Sequence, residues 1–224
     1  MLRLLAVALL FVTSPLAGGT TALLARGVEA GATPTSAAIA ERGDYRGRAA
    51  LHVRKRAGAD GPCCLVALSG APFHNGTIEA WVAGVPVEGA SAGARGFVGL
   101  AFRVQADGRY EAFYIRPTNG RADDQFRRNH STQYVSDPDF PWQRLRRESP
   151  DLYESYADMV AGEWTRLRIE VEGARARLYV GNAPQPVLIV NDLKLGADAS
   201  GGIALWVEQE TDAHFADVRV PRRD

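Results

Sequence analysis

From Ala49 onward the chain alternates apolar and polar residues with a period of two, the spacing that sends successive side chains to opposite faces of a strand. Residues 49–53 and 64–68 begin the series. In residues 76–82, Ile78, Ala80 and Val82 share one face, and Glu79 and Trp81 share the other. Residues 97–103 set Val98, Leu100 and Phe102 together, with Arg103 opposite. Asp107-Gly108 then marks a hairpin turn, and residues 110–116 set Phe113 and Ile115 against Tyr110, Tyr114 and Arg116. Residues 164–172 place Leu167, Ile169 and Val171 against Arg166, Arg168 and Glu170; residues 176–180, 187–190, 202–207 and 215–220 complete the set. Short strands punctuated by Gly, Asp and Asn predict an all-β fold, an antiparallel sandwich or barrel. One short helix is expected over residues 152–160.

The alternation lapses between Pro117 and Gly162, apart from residues 131–135, which read as a short extra strand. A loop of that length in a compact domain is uncommon and is often a binding segment. It carries Phe126, Tyr134, Phe140, Trp142, Tyr153 and Tyr156, more aromatics than a solvated loop needs. Its arginines are Arg121, Arg127, Arg128, Arg144, Arg146 and Arg147; its acids are Asp123, Asp124, Asp137, Asp139, Glu148, Asp151, Glu154 and Asp158. The acids outnumber the arginines, the wrong sign for phosphate, so nucleic acid is not an expected partner.

The start of the chain reads as an address. Arg3, an apolar run over residues 4–12 and a small-residue stretch over 14–19 make a signal peptide, assigned to residues 1–22 with cleavage between 17 and 30. A signal anchor is the alternative, but the run is shorter than the roughly 20 residues that span a bilayer. No later apolar run reaches that length, so a mature form without a transmembrane helix is expected, secreted or in the periplasm or cell envelope. Residues 31–44, rich in small residues, read as a linker or N-terminal arm, and residues 45–224 as the domain.

Composition narrows the choice. The 224 residues are 46% hydrophobic, with 26 Lys and Arg against 26 Asp and Glu, which excludes a disordered chain and a global charge suited to nucleic acid or anionic membrane. The adjacent Cys63 and Cys64 have Cα atoms about 3.8 Å apart, closer than the roughly 4.4–6.8 Å of ordinary disulfides. They read either as two buried thiols or as a strained vicinal disulfide. His52, His74, His130 and His214 are scattered without metal-ligand spacing, so no metal site is expected from them. Asp123-Asp124 and Asp137-Pro138-Asp139 offer oxygen ligands for calcium, or serve as turn residues.

The run Gly96-Phe97-Val98-Gly99-Leu100-Ala101-Phe102-Arg103, then Tyr110 to Pro117, then Gly201-Gly202-Ile203-Ala204-Leu205-Trp206 with Phe215-Ala216-Asp217-Val218, resembles the concanavalin A-like lectin/glucanase superfamily. Within it, the chain resembles laminin G-like modules and the 3-keto-disaccharide hydrolase domain family. The resemblance implies a two-sheet antiparallel jelly-roll sandwich with one long aromatic-rich loop, and sugars bound on one sheet or its rim. The glucanases of the superfamily carry Glu-x-Asp-x-x-Glu on one strand. Here the nearest approach, Glu208-Gln209-Glu210-Thr211-Asp212, has the wrong order, which argues against a retaining mechanism.

Sugar recognition combines aromatic faces for the C–H side of a ring with charged groups for its hydroxyls. The polar-face residues Glu79, Arg103, Tyr114, Arg116, Trp206 and Glu208 meet that need, with Tyr134 and Trp142 covering the site from the loop. Arg116, at the mouth of the loop, is the foremost candidate. Glu111 shares a face with Phe113 and Ile115 and reads as a buried structural partner of an arginine. The expected function is an exported, non-catalytic carbohydrate-binding domain. The alternatives are a glycoside hydrolase drawing acids from Glu79, Glu208 or the loop aspartates, and a cell-envelope protein-interaction module.

Overall fold

The computed structural model describes residues 20–22, 32–35, 37–59 and 65–221. The strands in chain order are β1 Thr20–Ala22, β2 Ala32–Pro34, β3 Ala38–Tyr45, β4 Arg48–Lys55, β5 Leu65–Phe73, β6 Gly76–Pro86, β7 Val98–Val104 and β8 Tyr110–Ile115. They continue with β9 Thr132–Asp137, β10 Glu154–Ser155, β11 Thr165–Glu172, β12 Arg175–Val180, β13 Leu188–Val190, β14 Gly201–Val207 and β15 Thr211–Pro221. Two short helices, α1 Gln125–Asn129 and α2 Trp142–Glu148, lie in the long loop.

The strands form a two-sheet antiparallel jelly-roll sandwich. One sheet runs β13-β12-β11-β6-β15-β4-β3, with β1 added to β15; the other runs β10-β9-β8-β7-β14-β5-β2. The apolar faces read from the alternation meet between them. Val98, Leu100, Phe102, Phe113 and Ile115 share one core with Ile78, Ala80, Val82, Leu167 and Ile169, all essentially without solvent exposure. Burying each of the larger side chains stabilises the fold by about 1.5–3 kcal/mol. The loop residues 131–135 join the sheet as β9, as the alternation suggested.

The outer faces differ. β11 alternates buried and half-buried residues along its length, as a strand with one wet face should. β7 and β8 are buried on both sides, because the outer face of the seven-stranded sheet is itself covered.

Four expectations are corrected or fall outside the structure. Residues 31–44 are not a loose arm: β2 pairs with β5 and β3 with β4, so most of the segment is sheet. Residues 152–160 are not helical; they supply β10, which pairs with β9, and the helices sit earlier in the loop. The signal peptide lies outside the described residues except for Thr20–Ala22, and Cys63 and Cys64 lie outside them altogether. Among the described residues no helix is long and apolar enough to cross a membrane.

Arg103 departs most from its expected place. It sits at a positive φ of 52°, beside a register shift between β14 and β7, and this takes it out of the alternation. Its side chain has no solvent exposure. It donates to His74 O at 3.0 Å, Gly173 O at 2.8 Å and Gly196 O at 2.9 Å, with Glu111 Oε2 at 3.5 Å. Glu111 is the buried arginine partner its position suggested; its Oε1 accepts from the Tyr134 hydroxyl at 2.7 Å. Burial pushes the Glu111 carboxyl above its usual range, against the Tyr134 hydrogen bond. Arg103 is therefore a clamp at one end of the sandwich rather than a ligand contact. Arg103→Met strands these acceptors in the interior and is expected to cost about 3–5 kcal/mol, read as a lower urea midpoint. A midpoint equal to that of wild type would contradict the clamp.

Candidate functional site

The covered face of the seven-stranded sheet carries one row of residues read straight across the register. Gln133 on β9 pairs with Tyr114 on β8, Tyr114 with Gly99 on β7, Gly99 with Trp206 on β14, and Trp206 with Leu65 on β5. Gly99 in the middle has no alternative. A Cβ there would lie 2.2 Å from Phe113 O and 2.6 Å from Tyr114 Cβ, so the two backbones approach too closely for any side chain. Its absence lets Tyr114 and Trp206 reach over β7 and stack, ring centroids 4.5 Å apart and planes 11° from parallel. Phe97 meets Tyr114 edge-on at 5.9 Å. The row below is alanine, with Ala112 opposite Ala101 and Ala101 opposite Ala204, which leaves room for the rings to lie down.

Two hydrogen bonds fix this aromatic layer. Trp206 Nε1 donates to the Tyr110 hydroxyl at 3.1 Å, and that hydroxyl donates to Asp137 Oδ2 at 2.5 Å. Burial, then the Asp137 carboxylate, pushes the Tyr110 phenol well above its usual range, and burial pushes Tyr114 up to about 12. Both phenols are therefore fixed donors and acceptors, not acids, at physiological pH.

Above the layer opens a cleft of about 340 Å³, at the small end of the roughly 300–1,000 Å³ typical of ligand sites. Phe97, Tyr114, Trp206, Trp142, Asp137, Glu208 and Glu210 line it. Trp142, the first residue of α2, stands at the mouth and is 38% exposed, whereas Trp206 and Tyr114 behind it are 9% and 2% exposed. The charged groups are all acids. Burial raises the Glu208 carboxyl above its usual range, opposed by backbone N–H groups at 209 and 210. Glu210 is held below its usual range by the Ser91 hydroxyl and N–H, both of which donate to it.

Of the eight residues picked out in the sequence, Tyr114, Trp142, Trp206 and Glu208 come together in this cleft. The other four do not. Glu79 lies on the opposite sheet and binds Arg166 at 2.7 Å. Tyr134 is fully buried between the sheets, and Arg103 lies at the end of the sandwich. Arg116 runs beneath the aromatic layer, 5% exposed. Its guanidinium donates to Glu154 at 3.1 Å, Gln133 at 2.9 Å and His130 O at 2.8 Å, and it lies 5.2 Å from the Tyr114 ring centroid. Glu154 also accepts from Arg146 at 2.8 Å and lies 3.3 Å from His130. One carboxylate thus ties β8, α1's end and α2 together, and so holds Trp142 over the cleft.

Phe97 and Glu210 line the cleft without having been picked out as ligand contacts, and Asp137, weighed as a calcium ligand or a catalytic loop aspartate, lines it too. Asp137 had a legible signal, since it falls on the same strand face as Gln133 and Val135. Asp124, weighed as a calcium ligand, caps α1 by accepting from Arg127 N at 3.0 Å.

No family model and no curated protein matches the chain. Solved structures do match in fold. The carbohydrate binding module CBM66 from Bacillus subtilis aligns with a TM-score of 0.55 at 17% identity, over 86% of this chain and 97% of its own. A putative glycosyl hydrolase from Parabacteroides distasonis aligns at 0.54 and 12%, over 93% and 96%. The Bacillus licheniformis β-glucanase aligns at 0.52 and 11%, over 92% and 99%. What these structures share with the chain is the fold, a two-sheet antiparallel β-sandwich.

Arg116→Met separates scaffold from contact surface. It removes one cation from buried Glu154 and is expected to cost about 3–5 kcal/mol of stability. A surface sugar contact at this position would leave the melting temperature where it was.

Proposed function

We propose that the chain is an exported carbohydrate-binding domain whose ligand seats in the cleft on the outer face of the seven-stranded sheet and is not broken down there. The observation that carries this reading is the combination in one cleft of an exposed indole, Trp142, an aromatic wall behind it and three carboxylates. An indole packs against the apolar C–H face of a sugar ring, while Asp137, Glu208 and Glu210 accept hydrogen bonds from its hydroxyls. The fold shared with a carbohydrate-binding module supports the reading by analogy of architecture. Among the described residues the charged groups lining the cleft are all acids, which disfavours acidic sugars.

The experiment is a glycan array followed by calorimetry on the hit, with Trp142→Ala beside wild type. Trp142 is half out of the fold, so its removal is expected to leave the melting temperature nearly unchanged. Binding is expected to weaken by about 2 kcal/mol or more, the cost of losing an aromatic anchor. Undiminished binding by the variant would move the ligand off this cleft.

One observation favours a hydrolase instead. Glu208 is raised and Glu210 lowered in the same cleft, the separation of acid from base that glycoside cleavage uses. Glu208→Gln distinguishes the two. A binding site loses affinity as pH falls through the raised Glu208 value, because the protonated carboxyl gives up its anionic acceptor; the amide variant is expected to bind with a flatter pH profile. In a hydrolase the wild type turns over the bound glycan and the amide variant does not.

A further inference from the structure

His52 and His214, far apart in sequence, face each other across the antiparallel pair β4 and β15. Their neighbours Leu51, Val53, Ala213 and Phe215 point into the core, so both imidazoles stand on the outer face of the eight-stranded sheet. Asp212, two residues before His214, shares that face and hydrogen-bonds His52 Nε2 through Oδ1. The rings are aligned: Tyr45 stacks on His214 at 3.8 Å, and His214 on His52 at 4.5 Å with planes 4° apart. One donor atom from each of His52, Asp212 and His214 lies within 4.8 Å of the other two.

We propose that His52, Asp212 and His214 bind a divalent transition-metal ion of the zinc class, on the sheet opposite the cleft. Two imidazoles and one carboxylate are the donor set of zinc and its neighbours, whereas calcium and magnesium take oxygen ligands. Bonds of about 2.0 Å in a tetrahedral site bring donor atoms to about 3.3 Å of one another. Reaching that spacing requires the imidazoles to turn about χ2, a broad torsion, out of their parallel stack so that their in-plane lone pairs converge. His52 and Asp212 have side chains 28% and 38% exposed, so an ion can enter and keep a water in its remaining position. The ion replaces the His52–Asp212 hydrogen bond and pins β4 to β15, one strand in from the β3 edge of the sheet.

The test uses the untagged chain, since a polyhistidine tag would take up the ion itself. Zinc chloride alone is titrated calorimetrically and its effect on thermal unfolding is followed, with calcium chloride in parallel. One zinc per chain is expected, together with a melting temperature that rises with zinc concentration, as binding to the folded state requires, and no such response to calcium. His52→Gln, His214→Gln and Asp212→Asn are each expected to lose more than roughly tenfold in affinity, the least that disturbing a ligand shell costs. Should a variant misfold, electron paramagnetic resonance of the wild-type chain loaded with copper(II) reads the ligands directly, and two imidazole nitrogens are expected. Zinc affinity unchanged in all three variants, an equal response to calcium, or a copper spectrum with fewer than two nitrogens would overturn the assignment.

Discussion

A single guanidinium holds the end of the sandwich shut. The β5–β6 connection, the β11–β12 turn and the β13–β14 loop belong to different parts of the two sheets, yet all present a carbonyl to Arg103. A charge removed from water at that depth is tolerated only when nearly every donor is used, and here the loops themselves supply the acceptors. The consequence reaches the site through the backbone. Arg103 sits near the end of β7, and β7 carries Gly99, over which the Tyr114–Trp206 stack lies. Fixing one end of that strand fixes the platform under the cleft.

The same economy governs the long loop. Its arginines are engaged within the loop: Arg121, Arg144, Arg146 and Arg147 pair with carboxylates, Arg127 donates to Asn119 and Thr118 O, and Arg128 donates to the Tyr156 hydroxyl. Glu154 gathers Arg116, Arg146 and His130. What remains facing the cleft is aromatic or acidic. At the cleft itself the two signs differ in depth: Arg116 is buried in the scaffold, while Asp137, Glu208 and Glu210 line the opening.

Much of this was legible from alternation alone. Inward residues such as Leu100, Phe113 and Ile169 announced themselves by period, and Tyr114 and Trp206 did so by falling on the opposite face, whereas Trp142 sits on a helix and Phe97 was not singled out. Arg103 and Arg116 could not be placed in the same way. A bulge at one residue reverses a side chain without changing composition, and the fate of Arg116 was decided by Glu154, which only the returning loop brings near. Residues 31–44 looked like an arm because small residues crowd its first part, and residues 38–44 became strand because β4 offers a full set of pairing partners. Likewise α2 buries only Leu145, too little for a helical stripe, while residues 152–160 carry apolar side chains that serve β10 and the core instead. His52 and His214 showed no ligand spacing in the sequence, since their proximity comes from sheet register.

The two sheets also end in unlike ways. β10, β2 and β13 are strands of two or three residues, too short to template pairing with another chain. β3, at the remaining margin, runs for eight residues and so exposes a full ladder of backbone groups. It carries Glu41, Arg42 and Asp44 in its outer half, all exposed, so a second copy approaching in register would have to bury charge to pair. The segment that looked like loose chain is thereby the fold's guard against edge-to-edge aggregation.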